Sequence, residues 1–198
     1  MSKFKNGIIF GVAANDSKEP TRKLVNGREV MSPAYRAWRD MIKRAYSKKH
    51  KDKGYNDVSV CEEWLLFSNF KKWFDENWFE KGQLDKDLVE RGNRIYSPDK
   101  CLIISSMVNL FILSNKPKRN GSLIGVYWFA PRGKWQGQIS NPFTKKSECL
   151  GYFTDEMEGH LAWKKRKHEF ACMIADQQED KRVADALRSR YIGDLTNE

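Results

Sequence analysis

Apolar and basic residues take opposite faces in a stretch that begins at Ser32. Ser32-Pro33 is a helix start, because a capping hydroxyl is followed by proline at the first helical position. The residues after it repeat with a helical period, which predicts one face that packs and one that can reach phosphate. The apolar face comprises Tyr35, Trp38, Met41, Ile42 and Ala45, and the basic face comprises Arg36, Arg39, Lys43 and Arg44.

A second helical pattern, from Glu63 to Trp78, is dominated by aromatic residues. Its members are Trp64, Phe67, Phe70, Trp73 and Phe74. The spacing favours a buried helix in the core, and a platform for stacking bases is the alternative interpretation.

The pattern changes to short β-prone runs after residue 122. Gly125 to Trp128, Lys134 to Ile139 and Cys149 to Phe153 are separated by breaks at Pro131-Arg132-Gly133 and at a loop that contains Pro142. Thr154 is the predicted N-cap of a helix whose first turn is acidic. The stretch therefore predicts a three-stranded antiparallel sheet that packs on one helix.

Alternation along these strands sorts their side chains between the two faces of the sheet. The side chains predicted to point outward are those of Tyr127, Lys134, Gln136 and Gln138, and those predicted to face the helix are Val126, Gly137 and Ile139.

Carboxylate and amide residues cluster between the two patterns. Leu84-Asp85-Lys86-Asp87-Leu88 precedes a turn at Gly92, and Leu102 to Ile104 leads into a helix that is capped at Ser105 or Ser106 and carries Asn109. Strand, turn, strand and helix are the outline of a ββα metal site. In such a site Asp85 and Asn109 would share one divalent cation, Mg²⁺ or Mn²⁺. Asp87 would be the third catalytic candidate. The alternative is a capped turn with a surface ion pair.

The predicted fold class is α+β. We expect a basic N-terminal arm (residues 1–31) in which only GIIFGVAA forms a short strand, and a helix-rich module with the ββα element (32–115). A breaker-rich linker (116–121), the sheet and its helix (122–176) and a C-terminal helical tail (177–198) follow.

Charge alternates along the chain in blocks. The net charge of +10 divides into +9 for residues 1–55, −3 for 56–115, +7 for 116–168 and −3 for 169–198. This distribution is typical of a protein that lays two basic surfaces along a polyanion, although a single basic block can also be a solvated face.

The sequence elements GVYW, GKWQGQI and LGYFTDEMEGHLAW resemble the APETALA-2/ethylene-response-factor DNA-binding domain. In that family the sheet lies in the major groove, so the resemblance implies duplex-DNA contacts by Tyr127, Arg132, Lys134, Gln136 and Gln138. The basic face of the helix after Ser32 is a further DNA-binding candidate.

Residues 35–113 resemble the HNH-type homing endonucleases of tailed phages, on the elements LDKDL, YSPDKC and MVNLF. The resemblance implies metal-dependent phosphodiester cleavage. An HNH nuclease uses a histidine beside the first acid as general base, and here that neighbour is Lys86. The alternative is a catalytically silent, nuclease-derived DNA-binding or regulatory protein, for instance an inhibitor of a host DNA-processing or defence enzyme. A scaffold whose basic faces meet acidic protein partners is the third hypothesis.

The cysteine spacing and the hydropathy pattern restrict the class of protein. Cys61, Cys101, Cys149 and Cys172 have no paired CxxC spacing, so we expect four reduced and mostly buried thiols. Apolar runs fall short of the roughly 20 residues of a membrane span. We therefore expect a soluble, cytoplasmic protein with no membrane partner, located in the host cytoplasm if a phage encodes it.

Overall fold

The computed structural model describes residues 7–50, 57–113 and 122–191. The chain has the predicted α+β class, and its contacts divide it into an N-terminal unit ending at Ile104 and a C-terminal unit beginning at Ser105. The predicted linker at 116–121 lies outside the described residues.

Two hairpins occupy the region predicted as an arm. Strands β1 (Ile8–Ile9) and β2 (Ala13–Ala14) pair antiparallel, and so do β3 (Arg22–Val25) and β4 (Arg28–Met31). The second hairpin turns through Asn26-Gly27, with φ of 50° and 75°. The expectation of a single short strand is therefore wrong, because an Asn-Gly pair accepts the left-handed backbone that a two-residue hairpin turn requires.

Helix α1 (Pro33–Tyr46) begins at the predicted residue. The Ser32 hydroxyl accepts a hydrogen bond from the Tyr35 N–H at 3.3 Å, and the Ser32 N–H donates to the Thr21 carbonyl at 2.9 Å. A short helical turn, α2 (Lys48–His50), follows. Ser32 thus closes the base of the β3–β4 hairpin and caps α1.

The aromatic stretch forms a helix that is shorter than predicted. After β5 (Ser59–Val60), a 3₁₀ turn covers Glu62–Leu65, and α3 runs over Phe67–Asn77. Leu66 interrupts the helix because its backbone is extended and bridges to Ala14, while Asp16 accepts hydrogen bonds from the Ser68 N–H and hydroxyl.

The aromatic stripe forms the core of the N-terminal unit, as its spacing predicts. Trp64, Phe67 and Phe70 are almost fully buried, and the Trp38 indole of α1 donates to the Trp64 carbonyl at 2.7 Å. The partly buried Trp73 lies at the margin, with its ring centroid 4.7 Å from that of Trp64.

Three short strands complete the N-terminal unit. Strand β6 (Gln83–Asp85) pairs antiparallel with β8 (Leu102–Ile104), while β7 (Ile95–Tyr96) pairs parallel with β5. The pairing places Asp85 at the end of a strand, opposite Leu102.

The C-terminal unit begins with α4 (Ser106–Leu113), which Ser105 caps by accepting from the Val108 N–H. Strands β9 (Val126–Phe129), β10 (Lys134–Ser140) and β11 (Ser147–Phe153) form an antiparallel sheet in the order β11-β10-β9.

One helix covers this sheet, and a second helix packs against the first and completes the unit. Helices α5 (Glu156–Ala175) and α6 (Lys181–Arg190) follow β11. Asp155 and not Thr154 caps α5, because its carboxylate accepts from the N–H groups of Met157 and Glu158.

The cysteines are free, and only one of them is buried. Cys101 is enclosed, and burial raises the pKa of its thiol to about 12. Cys61 and Cys172 are half-buried and Cys149 is exposed, so the expectation of mostly buried thiols is wrong. Cys149 is exposed because it lies on the outer face of the sheet. Within the described residues, no helix is long and apolar enough to cross a membrane.

Candidate nucleic-acid interface

The sheet of the C-terminal unit packs one face against α5 through glycine contacts. A Cβ atom on Gly159 would lie 2.4 Å from the Val126 side chain, and one on Gly125 would lie 2.1 Å from the Trp163 ring. Gly125 also has φ of +81°, a left-handed conformation that suits glycine. Because these glycines have no side chains, the sheet can approach α5 closely. The opposite face of the sheet points away from α5.

The outer face has the composition that alternation predicts. Tyr127 lies opposite Gln136, and Gln138 lies opposite Cys149. Tyr152 of β11 also lies opposite Gln136 and therefore belongs to the same row. The outer-face residues, with the adjoining Arg132, are Tyr127, Phe129, Arg132, Lys134, Gln136, Gln138, Ser140, Ser147, Cys149 and Tyr152.

The two glutamines on this face are held by hydrogen bonds across the strands. The Tyr127 hydroxyl donates to Gln136 Oε1 at 2.7 Å, and Gln136 Nε2 donates to the Cys149 sulfur at 3.3 Å. The Gln138 amide donates to the Ser147 hydroxyl. Gln136 is only 9% exposed, so its amide forms part of the sheet's own bonding and is not displayed to solvent.

The cations on the outer face are more accessible. Lys134 and Arg132 are both exposed. The Arg132 guanidinium lies 4.1 Å above the Tyr152 ring, a cation–π contact that holds it over the sheet. Further along the chain, Lys145 and Lys146 are exposed in the loop between β10 and β11.

The sheet's carboxylate lies on the helix side. Glu148 is the one acidic residue between Ser122 and Thr154, and it lies opposite the inward-facing Ile139. Arg166 of α5 meets it, with Nε 3.0 Å from the carboxylate. The hydrogen bonds from Arg166 and then from Asn141 hold the pKa of Glu148 below its usual range. The outer face of the sheet is consequently cationic.

The basic face of α1 lies in the N-terminal unit. Arg36, Lys43 and Arg44 are exposed, and Arg39 is half-buried with Asp40 3.9 Å away. The opposite face of the helix is buried at Trp38. The helix therefore has the two-sided character that its sequence predicts.

The predicted cation site contains a lysine in the middle of its acidic residues. Lys86 is buried, and its Nζ donates to Asp87 Oδ1 at 2.6 Å and to the Asn93 carbonyl at 2.7 Å. Asp85 Oδ1 accepts from the N–H groups of Asp87 and Leu88. These bonds form a capped turn with an ion pair, which is the alternative that the sequence left open.

This turn does not fit a divalent cation at Asp87, because the Lys86 ammonium already lies against that carboxylate. Asp85 belongs to the N-terminal unit, whereas Asn109 lies on α4 of the C-terminal unit. Among the described residues, no group of three or more His, Cys, Asp or Glu side chains is placed to hold a metal.

Lys167 of α5 is also buried within the C-terminal unit. Its Nζ donates to the Phe111 carbonyl at 2.7 Å and lies 3.6 Å from the centroid of the Phe111 ring. Phe111 is in the last turn of α4, where helix carbonyls lack helical partners, so Lys167 supplies a cap. Burial, together with the charge of Arg190, lowers the pKa of Lys167 to about 7.

Two parts of the surface were not predicted from the sequence. The sequence predicts a strand at Tyr152, but the contact of Tyr152 with Arg132 depends on strand register. The β3–β4 hairpin is absent from the predicted elements, although Asn26-Gly27 between two β-prone runs is a hairpin signal.

No protein-family model, curated protein or solved structure matches the chain.

Proposed function

We propose that the protein binds duplex DNA through the outer face of the β9–β11 sheet. The observation that carries this proposal is the separation of charge across the sheet. Arg132 and Lys134 are exposed on or beside the outer face, while Glu148 is paired with Arg166 on the helix side. A polyanion would therefore meet cations without a facing carboxylate.

The side chains of this face are suited to different parts of a duplex. Lys134 is a point charge that would bind phosphate, whereas the guanidinium of Arg132 can bind phosphate or a guanine edge. Gln138 would reach adenine only by giving up its bond to Ser147. Gln136 is assigned the role of holding Tyr127 in place, since its amide is engaged on both sides.

The α1 face supports a second set of phosphate contacts. Arg36, Lys43 and Arg44 follow one side of a helix and are exposed. A helix face of this kind adds to affinity without selecting a sequence. The resemblance to the APETALA-2/ethylene-response-factor domain remains part of the proposal, because in that family a three-stranded sheet lies in the major groove.

The test is a titration of a labelled duplex at several salt concentrations with matched variants. Lys134→Gln should weaken binding to all sequences and reduce the log–log salt slope by about 0.9, the share of one phosphate. Lys181→Gln is the control, because it removes the same charge from an exposed position on α6. Circular dichroism of each variant checks that the fold is kept.

A wild-type affinity that does not change between low and moderate salt would refute DNA binding by this surface. Equal losses for Lys134→Gln and Lys181→Gln would refute the assignment to the sheet, because the effect would then come from net charge alone.

For the N-terminal unit we propose that the turn around Lys86 resembles that of a nuclease but does not catalyse DNA cleavage. The buried Lys86 ammonium between Asp87 and the Asn93 carbonyl favours this candidate over metal-dependent cleavage. Plasmid nicking measured with Mg²⁺ and with Mn²⁺ tests the assignment, and metal-dependent nicking that Asp85→Ala or Asn109→Ala abolishes would overturn it.

A further inference from the structure

The β3–β4 hairpin is exposed along almost its whole length. Seven of its eight strand residues are exposed, including Leu24 at 74% and Val25 at 49%. The positive φ values of Asn26 and Gly27 are those of a tight two-residue turn, which fixes the strand register. The hairpin is therefore an ordered ribbon whose apolar residues are not used in the core.

The strand register gives the ribbon two different faces. Arg22, Leu24, Glu29 and Met31 share one face, where Arg22 and Glu29 form an ion pair at 2.9 Å. The other face consists of Lys23, Val25, Arg28 and Val30, which we call the Lys23 face. One face is thus neutralised by its own ion pair, and the Lys23 face combines two cations with two β-branched residues.

We propose that the hairpin enters the major groove of B-form DNA with the Lys23 face against the duplex. The major groove is about 12 Å wide and admits a two-stranded ribbon. Four residues at about 3.4 Å each give strands about 14 Å long, which is more than the groove depth of about 8.5 Å, so the tip of the hairpin can reach the base edges. The major groove of A-form RNA is too deep and narrow to be read in this way, so the shape selects DNA.

The charge and the connection of the ribbon support this partner. Lys23 lies near the base, beside a cleft that Glu19 and Asp75 also line, so the distal pair Val25 and Arg28 would lead into the groove. The only residue between β4 and α1 is Ser32, so the ribbon runs directly into the basic helix. The inference rests on the proposed function only in that both have duplex DNA as the partner. The hairpin belongs to the N-terminal unit, whereas the sheet belongs to the C-terminal unit.

The experiment compares two arginines of the same ribbon that lie on opposite faces. With a random-sequence duplex, Arg28→Gln should lower the salt slope by about 0.9, whereas Arg22→Gln should leave it within error of the wild type. Guanine N7 is a major-groove atom, so its methylation by dimethyl sulfate should weaken DNA binding by the wild type more than DNA binding by the Arg28→Gln variant. A duplex RNA of the same sequence should compete poorly.

Each result decides between the hairpin and the sheet. If Lys134→Gln lowers the slope and Arg28→Gln does not, the hairpin proposal is overturned and the sheet proposal stands. If only Arg28→Gln lowers it, the hairpin is supported and the sheet proposal fails. Equal effects of Arg22→Gln and Arg28→Gln, equal competition by RNA, or no wild-type binding to duplex would each overturn the hairpin proposal.

Discussion

Lys86 and Lys167 are the buried lysines of the described residues, one in each unit, and their surroundings differ. Lys86 lies between a carboxylate and a carbonyl, within a turn that its own neighbours build. Lys167 lies on a helix-end carbonyl and an aromatic ring, and burial lowers its pKa to about 7. The Lys86 ammonium thus meets an opposite charge, whereas at Lys167 the loss of solvent on burial dominates.

The two buried lysines show that the net charge of a basic sequence does not equal the charge that its surface offers to a partner. The formal charge of +10 includes both lysines, yet neither ammonium is exposed for contact with a phosphate. The surface charge that a polyanion would meet comes instead from residues such as Lys134 and Arg28, which are exposed. Net charge indicates the class of partner, and burial decides which cations can take part.

The largest expected effect is that of Lys86→Met. This variant leaves the Asp87 carboxylate without its ammonium and the Asn93 carbonyl without its donor, so the free energy of unfolding should fall by about 1–3 kcal/mol. Urea denaturation followed by tryptophan fluorescence measures it, because the aromatic core lies in the same unit. Lys81→Met, at a side chain that is 85% exposed, is the control. Equal stability of the two variants would contradict the role given to Lys86.

Lys167→Met should instead change how stability depends on pH. The folded-state pKa is about 7 and the ordinary value is 10.5, so between these values the unfolded chain binds more protons than the folded chain. The contribution of Lys167 to stability therefore rises with pH across this window. Thermal unfolding at pH 7 and pH 9 should show a smaller gain with pH for Lys167→Met than for the wild type or the exposed-site variant Lys165→Met. An unchanged gain would mean that Lys167 is not the group that titrates.

Asp87→Asn tests the same turn, and it should lower the free energy of unfolding by less than Lys86→Met does. The Asp87 side chain is 45% exposed but the Lys86 ammonium that it meets is buried, so replacing the charge while keeping an acceptor should cost about 1–2 kcal/mol. DNA affinity should be unchanged within error. A variant that keeps its stability but loses metal-dependent nicking seen in the wild type would make Asp87 catalytic and not structural.

The smallest effect is expected for Gln138→Ala. Its amide is bonded to Ser147, as the Lys86 ammonium is bonded within its turn, so little of its potential for base contact is available. A full base contact contributes about 1–3 kcal/mol, and we expect a loss below about 1 kcal/mol between preferred and random duplexes. Competition binding measures this difference, and a larger loss would mean that the amide exchanges Ser147 for a base.

Local patterns predicted the helices and the sheet well. The Ser32-Pro33 start, the aromatic core and the outward position of Lys134 depend on period and capping, which are properties of neighbouring residues. The break at Leu66 was not predictable in this way, because it depends on Asp16 and Ala14, which are distant in the sequence.

The candidate sites were harder to predict for the same reason. Asp85 and Asp87 have the residue types of a cation site, but the position of the Lys86 ammonium depends on the turn that Asn93 completes. Gln136 points outward as alternation predicts, yet its low exposure comes from Tyr127 and Cys149 on the two neighbouring strands. Hydrogen bonds of this kind depend on tertiary contacts, and the residue pattern of one strand or turn does not reveal them.

Ser32 gives the ribbon and α1 a mechanical connection. Its N–H closes the hairpin base on Thr21, its hydroxyl holds the first turn of α1, and Pro33 restricts its backbone to the extended conformation observed, with ψ of 145°. We therefore expect a stiff junction, at which a displacement of the hairpin tip also turns the helix. Fluorophores at Asn26 and Lys43 would report a single narrow distance distribution, which a glycine inserted after Ser32 would broaden.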